Sequence, residues 1–191
     1  MNSAHAGLTV RDELSISEVG YDHPDAQRLI AEVQAEYVQR YGGPDSTPVD
    51  PAEFAPPQGR FAVGYAGGEP IGMGGWRRHD PEDPETSWAA PSAEVKRMYV
   101  AAGMRNRGYA RTMLAYLEDT ARQDGVRWLL LETGHRQPEA VELYRSCGYL
   151  PVSPFGYYAG RASAIHLGKD LVTAEAPPAA AARPRSARPG R

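Results

Sequence analysis

Residues 94–111, EVKRMYVAAGMRNRGYAR, constrain this chain more than any other stretch. A β-prone apolar run, Val95, Met98, Tyr99 and Val100, leads through a short linker into Arg105, Asn106, Arg107, Gly108, Tyr109 and Ala110, and a strongly helical segment follows at once. A strand, a basic glycine loop and a helix in that order can cradle phosphate. The first amides of a helix lack intrahelical acceptors and stand at the positive end of its dipole, so the main chain itself can hold a diphosphate. Gly108 allows close approach of backbone to anion, and Arg105, Arg107 and Arg111 add charge. An ordinary strand-to-helix turn has the same composition, so the loop alone leaves both readings open.

The segments that follow narrow the fold. Ala110, Met113, Leu114, Leu117 and Ala121 mark one apolar face of a helix that ends near Asp124 and Gly125. Trp128 to Thr133, WLLLET, has the length and continuous apolarity of a strand covered on both sides. Pro138 to Cys147 forms the next helix, with Val141, Leu143 and Tyr144 turned inward and Gly148 at its stop. Strand, helix, strand and helix in succession make a right-handed crossover unit around a parallel strand pair.

Upstream, Leu8 to Leu14 is expected as an edge strand. Pro24, Ala26, Leu29, Ile30, Val33, Tyr37 and Tyr41 outline a helix stopped by Gly42 and Gly43. The proline-rich, acidic stretch from Pro44 to Gly59 has room for one short helix around Asp50 to Phe54. Arg60 to Tyr65 and Ile71 to Trp76 flank the turn AGGEP as a hairpin, and His79 to Ser92 is an acidic, proline-punctuated loop. Tyr149 to Val152 and Ala162 to Asp170 complete the strands across PFGYYAGR. The expected class is α/β, or α+β: a mixed twisted sheet of six to seven strands with about four helices.

A chain of 191 residues suits one core, placed at residues 8–171. The Ala, Pro and Arg-rich segment 172–191 cannot bury a core and is expected to be disordered. Net charge is −3, and because that tail carries +3, the rest stands at −6, which argues against a nucleic-acid partner. A single cysteine, Cys147, excludes an internal disulfide, and five scattered histidines show no ligand spacing, so no metal is assigned; His135 and His166 are the two that could reach a site. No run is long and apolar enough for a signal peptide or a membrane span, so a cytoplasmic location is expected.

Arg105, Gly108 and Ala110 fill the fixed positions of R-x-x-G-x-A, and downstream LLLETGHRQPEAVELYRSCGY carries A-x-x-L-Y and G-Y. This pair of motifs, in this order, resembles the GNAT superfamily of acetyl-CoA-dependent N-acetyltransferases over most of the chain. The resemblance implies splayed parallel strands ending at Val100 and Thr133, with acetyl-CoA as co-substrate between them. Met98, Tyr99 and Val100 would bind its pantetheine arm through backbone atoms. The loop from Arg105 through Asn106, Arg107, Gly108, Tyr109, Ala110 and Arg111 would hold the diphosphate, with further contacts from Thr133, Gln137, Ala140 and Tyr144. Gln137 stands where the family often has asparagine.

Amine acetylation needs a proton acceptor for the amine and an acid for the departing thiolate. The residues alone favour an inward core tyrosine at Tyr144; the resemblance makes it that acid. Glu94 matches the base of the family's histone-acetylating branch. Period-two alternation places it on one face with Lys96 and Met98, where ion pairing with Lys96 or Arg97 is the competing role. Three functions follow from the resemblance: acetylation of a small-molecule primary amine by direct attack, acetylation of protein lysines or N-termini, and acyl-CoA binding without turnover. The expected assembly is a monomer or homodimer. The acidic loops suit a cationic acceptor, and Arg77 and Arg78 suit a carboxylate.

Overall fold

The alternation and periodicity read above resolve into one twisted sheet covered by helices on both sides. The computed structural model describes residues 13–79 and 91–172. Seven strands, β1 (Ser15–Glu18), β2 (Gly59–Ala66), β3 (Glu69–Arg78), β4 (Ser92–Val100), β5 (Trp128–Gly134), β6 (Leu150–Pro151) and β7 (Ala164–Asp170), lie in the order β1-β2-β3-β4-β5-β7-β6. Among the described residues β4 and β5 form the parallel pair, and every other pairing is antiparallel. Three α-helices, α1 (Pro24–Tyr41), α2 (Tyr109–Gln123) and α3 (Pro138–Ser146), complete the frame.

Sequence and structure differ in three places. The first strand begins at Ser15, because pairing of Ser15 to Glu18 with Tyr65 to Ala62 defines it; Leu14 instead packs its side chain near Val100 and Tyr109. The remainder of the expected Leu8 strand lies outside the described residues. The short helix after Asp50 is a 3₁₀ turn, Pro51–Phe54, closed by a capping box between Asp50 and Glu53, so three α-helices flank the sheet. The last hairpin is shorter than expected, with β6 reduced to two residues. Most of the acidic loop, 80–90, and the tail from 173 onward lie outside the described residues.

The two faces of the sheet bury different clusters. Leu114, Leu117 and Ala121 of α2 and Tyr144 of α3 pack on Trp76, Val95, Leu129, Leu131 and Leu167. Ala26, Leu29 and Val33 of α1 pack on Phe61, Val63, Met73 and Tyr99. Each such fully buried aliphatic or aromatic side chain contributes about 1.5–3 kcal/mol through loss of water-exposed surface. Among the described residues no helix is long and apolar enough to cross a membrane.

One irregularity matters for everything downstream. The β3–β4 register shifts between Met73 and Gly75, and Arg97 adopts φ +56°, a left-handed conformation uncommon for a residue with a Cβ. This bulge cancels the expected alternation. Val95 and Met98 both pack toward α2, while Glu94 and Lys96 pair with each other on the opposite face. Simple period two would have kept Met98 with Glu94.

Candidate active site

The sheet opens beside the bulge. Pairing between β4 and β5 runs from Ser92 with Trp128 to Val95 with Leu131 and then ends, although β4 continues to Val100 and β5 to Gly134. The strands diverge into a cleft of about 850 Å³, walled by Glu36, Tyr37 and Tyr41 of α1, by Gln137 at the N-cap of α3 and by Ala140 and Tyr144 within it. That volume is within the usual range of about 300–1,000 Å³ for a small-molecule site. Met98, Tyr99, Val100 and Thr133 line it, at the expected strand ends. The Val100 carbonyl already accepts a hydrogen bond from Arg105 Nε at 2.9 Å.

At one end of the cleft lies the N-terminus of α2. Gly108 caps it at φ +89° with no side-chain hydrogen bond, and the N–H groups of Arg111 and Thr112 already turn back to the Gly108 carbonyl at 3.0 and 3.1 Å. Asn106 and Gly108, ahead of them, line the cleft. Asn106 also has positive φ, +62°, and a Cβ placed on Gly108 would meet no protein atom within 4 Å. Backbone donors beside unfilled space fit a diphosphate. Asn106, Gly108, Tyr109, Ala110 and Arg111 line the cleft, although the Tyr109 side chain is largely buried in a core cluster.

The arginines behave differently from the expectation. Arg105 forms a forked ion pair with Glu36 and lies over the Tyr99 ring at 5.5 Å, so its charge is compensated and its side chain ties the loop to α1. Arg111 reaches Ser146 Oγ at 2.8 Å and Cys147 Sγ at 3.0 Å at the end of α3. Arg107 is exposed and outside the lining of the cleft. The cradle is therefore chiefly a main-chain device.

Tyr144 is 8% exposed. Its hydroxyl donates to Met98 Sδ at 3.7 Å, and its ring meets Tyr149 edge-on at 5.7 Å. Burial, with the neighbouring Tyr37 hydroxyl, pushes the phenol well above its ordinary range, so it stays protonated at neutral pH. Gln137 accepts a hydrogen bond from the Thr133 hydroxyl at 3.0 Å and holds the mouth of α3 against β5.

Two glutamates separate clearly. Glu94 is 5% exposed and does not line the cleft. It pairs with Lys96 at 2.7 Å and Arg77 at 3.3 Å; burial alone would raise its pKa, but Lys96, His79 and Arg77 outweigh burial and hold it below the usual value. A carboxylate so stabilised is a poor proton acceptor. Arg77 divides itself between Glu94 and Glu53, and Arg78 binds the carbonyls of Pro57 and Asp124, so neither offers the cleft a carboxylate site.

Glu132, which the sequence reading absorbed into an apolar run, lines the cleft one residue past the last β4–β5 pair. Burial raises its pKa to about 7; Lys96 opposes the rise, and the charges of Glu94 and Asp45 add to it. The available signal was a lone carboxylate ending WLLLET. His135 lines the cleft, while His166, opposite Glu132 in the β5–β7 register, is buried against Phe155 at 5.1 Å. Among the described residues no group of three His, Cys, Asp or Glu is placed to hold a metal.

Beyond Glu132 the cleft ends against two loops. Residues 43–47, after α1, and the turn before β7, with Tyr158 and Arg161, line this end together with Arg97.

The sequence model of the Acetyltransferase (GNAT) family matches residues 27–149. An IAA acetyltransferase of Azospirillum brasilense is 32% identical over 144 residues, covering 75% of this chain and 89% of the relative. A GNAT-family acetyltransferase structure from Staphylococcus aureus Mu50 superposes with TM-score 0.62 at 16% identity, covering 82% of this chain and 99% of that one. A GNAT acetyltransferase from Elizabethkingia anophelis with acetyl-CoA bound superposes with TM-score 0.53 at 17% identity, covering 84% and 99%.

Proposed function

Because the chain belongs to the GNAT acetyltransferase family, and is therefore an acyltransferase, we propose that it moves the acetyl group of acetyl-CoA to the primary amine of a small molecule by direct attack. The observation that carries this reading is one cleft with an uncapped helix N-terminus at one end and Glu132 and Tyr144 lining it farther along. Similarity to the IAA acetyltransferase of Azospirillum brasilense supports a small acceptor.

Acetyl-CoA supplies a thioester: a C–N bond forms at its carbonyl carbon and the C–S bond breaks. The chain's own residues handle binding and protons. The amides from Asn106 to Ala110 hold the diphosphate, and the unpaired edge of β4 at Met98 and Tyr99 orients the pantetheine arm. Arg107 adds charge at the rim, and Thr133, Gln137 and Ala140 pack beside the arm. Glu132, with a pKa near 7, takes the amine proton. Tyr144, kept protonated by burial, donates its hydroxyl proton to the departing thiolate sulfur. Glu94 acts by neutralising Lys96, which leaves Glu132 as the carboxyl of the cleft free to titrate near neutrality.

A thiol-release assay with acetyl-CoA against amines, amino acids and peptides tests the reading. Glu132→Gln should lower kcat/KM by roughly 10²-fold at neutral pH and remove the limb of the pH–rate profile near pH 7. A wild-type profile in that variant would return the base to Glu94 or to a water. Tight acetyl-CoA binding with no thiol release from any amine would make the chain a coenzyme-binding module.

A further inference from the structure

We infer that the acceptor end of the cleft is a closed chamber for a small amine, held shut by a clasp in which Tyr158 and Arg97 converge on Asp45, and that this clasp excludes peptide and protein acceptors. The inference rests on the acetyl-transfer reading above and adds the device that excludes larger acceptors.

Three segments distant in sequence meet at the Asp45 carboxylate. Oδ1 accepts from the Thr47 N–H at 2.9 Å, the Thr47 hydroxyl at 2.7 Å and the Tyr158 hydroxyl at 2.9 Å; Oδ2 accepts from Arg97 Nη1 at 2.7 Å. Tyr158 in turn accepts from the Ser46 N–H at 3.3 Å, and Arg161 covers its ring at 5.6 Å. The backbone of Asp45 is fixed to α1, its N–H donating to Gln34 Oε1 at 2.9 Å. Loop 43–47, the turn before β7 and the β4 bulge are thereby joined across the cleft.

Each bond has a reason to persist. Arg97 is buried in a left-handed conformation, and Asp45 is its ion-pair partner, so separating them would strand a charge. Burial alone would raise the Asp45 pKa, but the Thr47 donors, Arg97 and Tyr158 outweigh it and keep the carboxylate ionised. Neither loop has regular structure to hold it otherwise.

Charge balance describes the chamber. Lys96 is matched by Glu94 and Arg97 by Asp45, so Glu132 is left to meet the incoming ammonium. The same cleft of about 850 Å³ must also admit the acetylated pantetheine arm, which leaves room for a compact acceptor. The Tyr158 to Asp45 bond ties two of the loops that line the cleft to each other, whereas an extended polypeptide needs an open groove.

The test compares wild type with Tyr158→Phe, which keeps the ring and removes the bond, and with Asp45→Asn, which keeps an acceptor oxygen and removes the charge. Small primary amines and lysine-bearing peptides are assayed by thiol release, acetyl-CoA affinity by calorimetry and the Ser46 amide by hydrogen exchange. Wild type should favour small amines over peptides by more than about 10²-fold in kcat/KM. Tyr158→Phe should raise KM for small amines about 5-fold with kcat little changed, speed exchange at Ser46, leave acetyl-CoA affinity intact and narrow the preference. Asp45→Asn should do the same more strongly. Wild type acetylating peptides as readily as small amines, or an unchanged preference in a folded Tyr158→Phe with faster Ser46 exchange, overturns the clasp while leaving acetyl transfer standing. No thiol release from any amine overturns the transfer reading and this inference together.

Discussion

At the end of the cleft proposed for the diphosphate one stretch, Met104 to Asn106 with Gly108 to Arg111, supplies the lining, whereas the end proposed for the acceptor draws Asp45, Arg97, Glu132 and Tyr158 from four separate parts of the chain. By the proposed reading the first end would work through main-chain N–H groups, whose placement depends on two backbone conformations, Asn106 at φ +62° and Gly108 at φ +89°. The second works through side chains whose charges are set by one another. Backbone sites tolerate change in side chain and fail on change in φ; side-chain sites do the reverse.

That contrast can be broken, first at Tyr144. Tyr144→Phe should lower kcat by roughly 10²-fold with acetyl-CoA affinity unchanged, because it removes a proton donor and keeps a ring. Full turnover in the variant would reduce Tyr144 to packing against Tyr149.

Gly108→Val should weaken acetyl-CoA binding by about 10-fold, since a β-branched residue at φ +89° costs on the order of 1–2 kcal/mol and would shift the loop from this conformation. Calorimetry showing equal affinity would take the helix N-terminus out of the binding site.

Stability against pH sharpens the comparison between the two glutamates. Glu94 has a depressed pKa, so its stabilising contribution is present above its unfolded pKa and is lost as pH falls through the folded value. Glu94→Gln should lower Tm at pH 7 by several degrees and flatten the acid limb, leaving Lys96 and Arg77 short of a partner. Glu132 has the opposite sign. Its folded pKa of about 7 means that its contribution is full below the unfolded pKa and is lost as pH rises through 7. Glu132→Gln should therefore raise Tm at pH 8 and hardly alter it at pH 4. Equal shifts in both variants would remove the distinction between a structural and a reactive carboxylate.

The smallest effect is expected at Arg105. Its guanidinium is matched by Glu36, so Arg105→Ala should change acetyl-CoA affinity by less than about 3-fold while lowering Tm. A large, salt-sensitive loss of affinity would show that the side chain reaches the diphosphate after all.

The contrast also governs what could be read in the sequence. Local signals sufficed wherever one segment makes its own structure. The apolar stripe of α2, the continuous run of β5 and the glycine before Tyr109 each announce an element or a loop conformation without reference to the rest of the chain. The strand-loop-helix order followed from them, and the family resemblance rested on the motifs R-x-x-G-x-A and A-x-x-L-Y set along it.

What tertiary structure alone decided is where charges end up. No spacing rule predicts that Arg97 bulges out of β4 and moves Met98 to the other face, because the bulge answers to pairing with β3, across which Gly74 is left opposite two residues. Burial and long-range pairing then fixed the carboxylates: Glu94, prominent in the sequence, is tied up with Lys96 and Arg77, while Glu132, hidden in an apolar run, meets the open space. A pKa is a property of the surroundings, and for these residues the surroundings come from strands and loops up to about a hundred positions away in the chain.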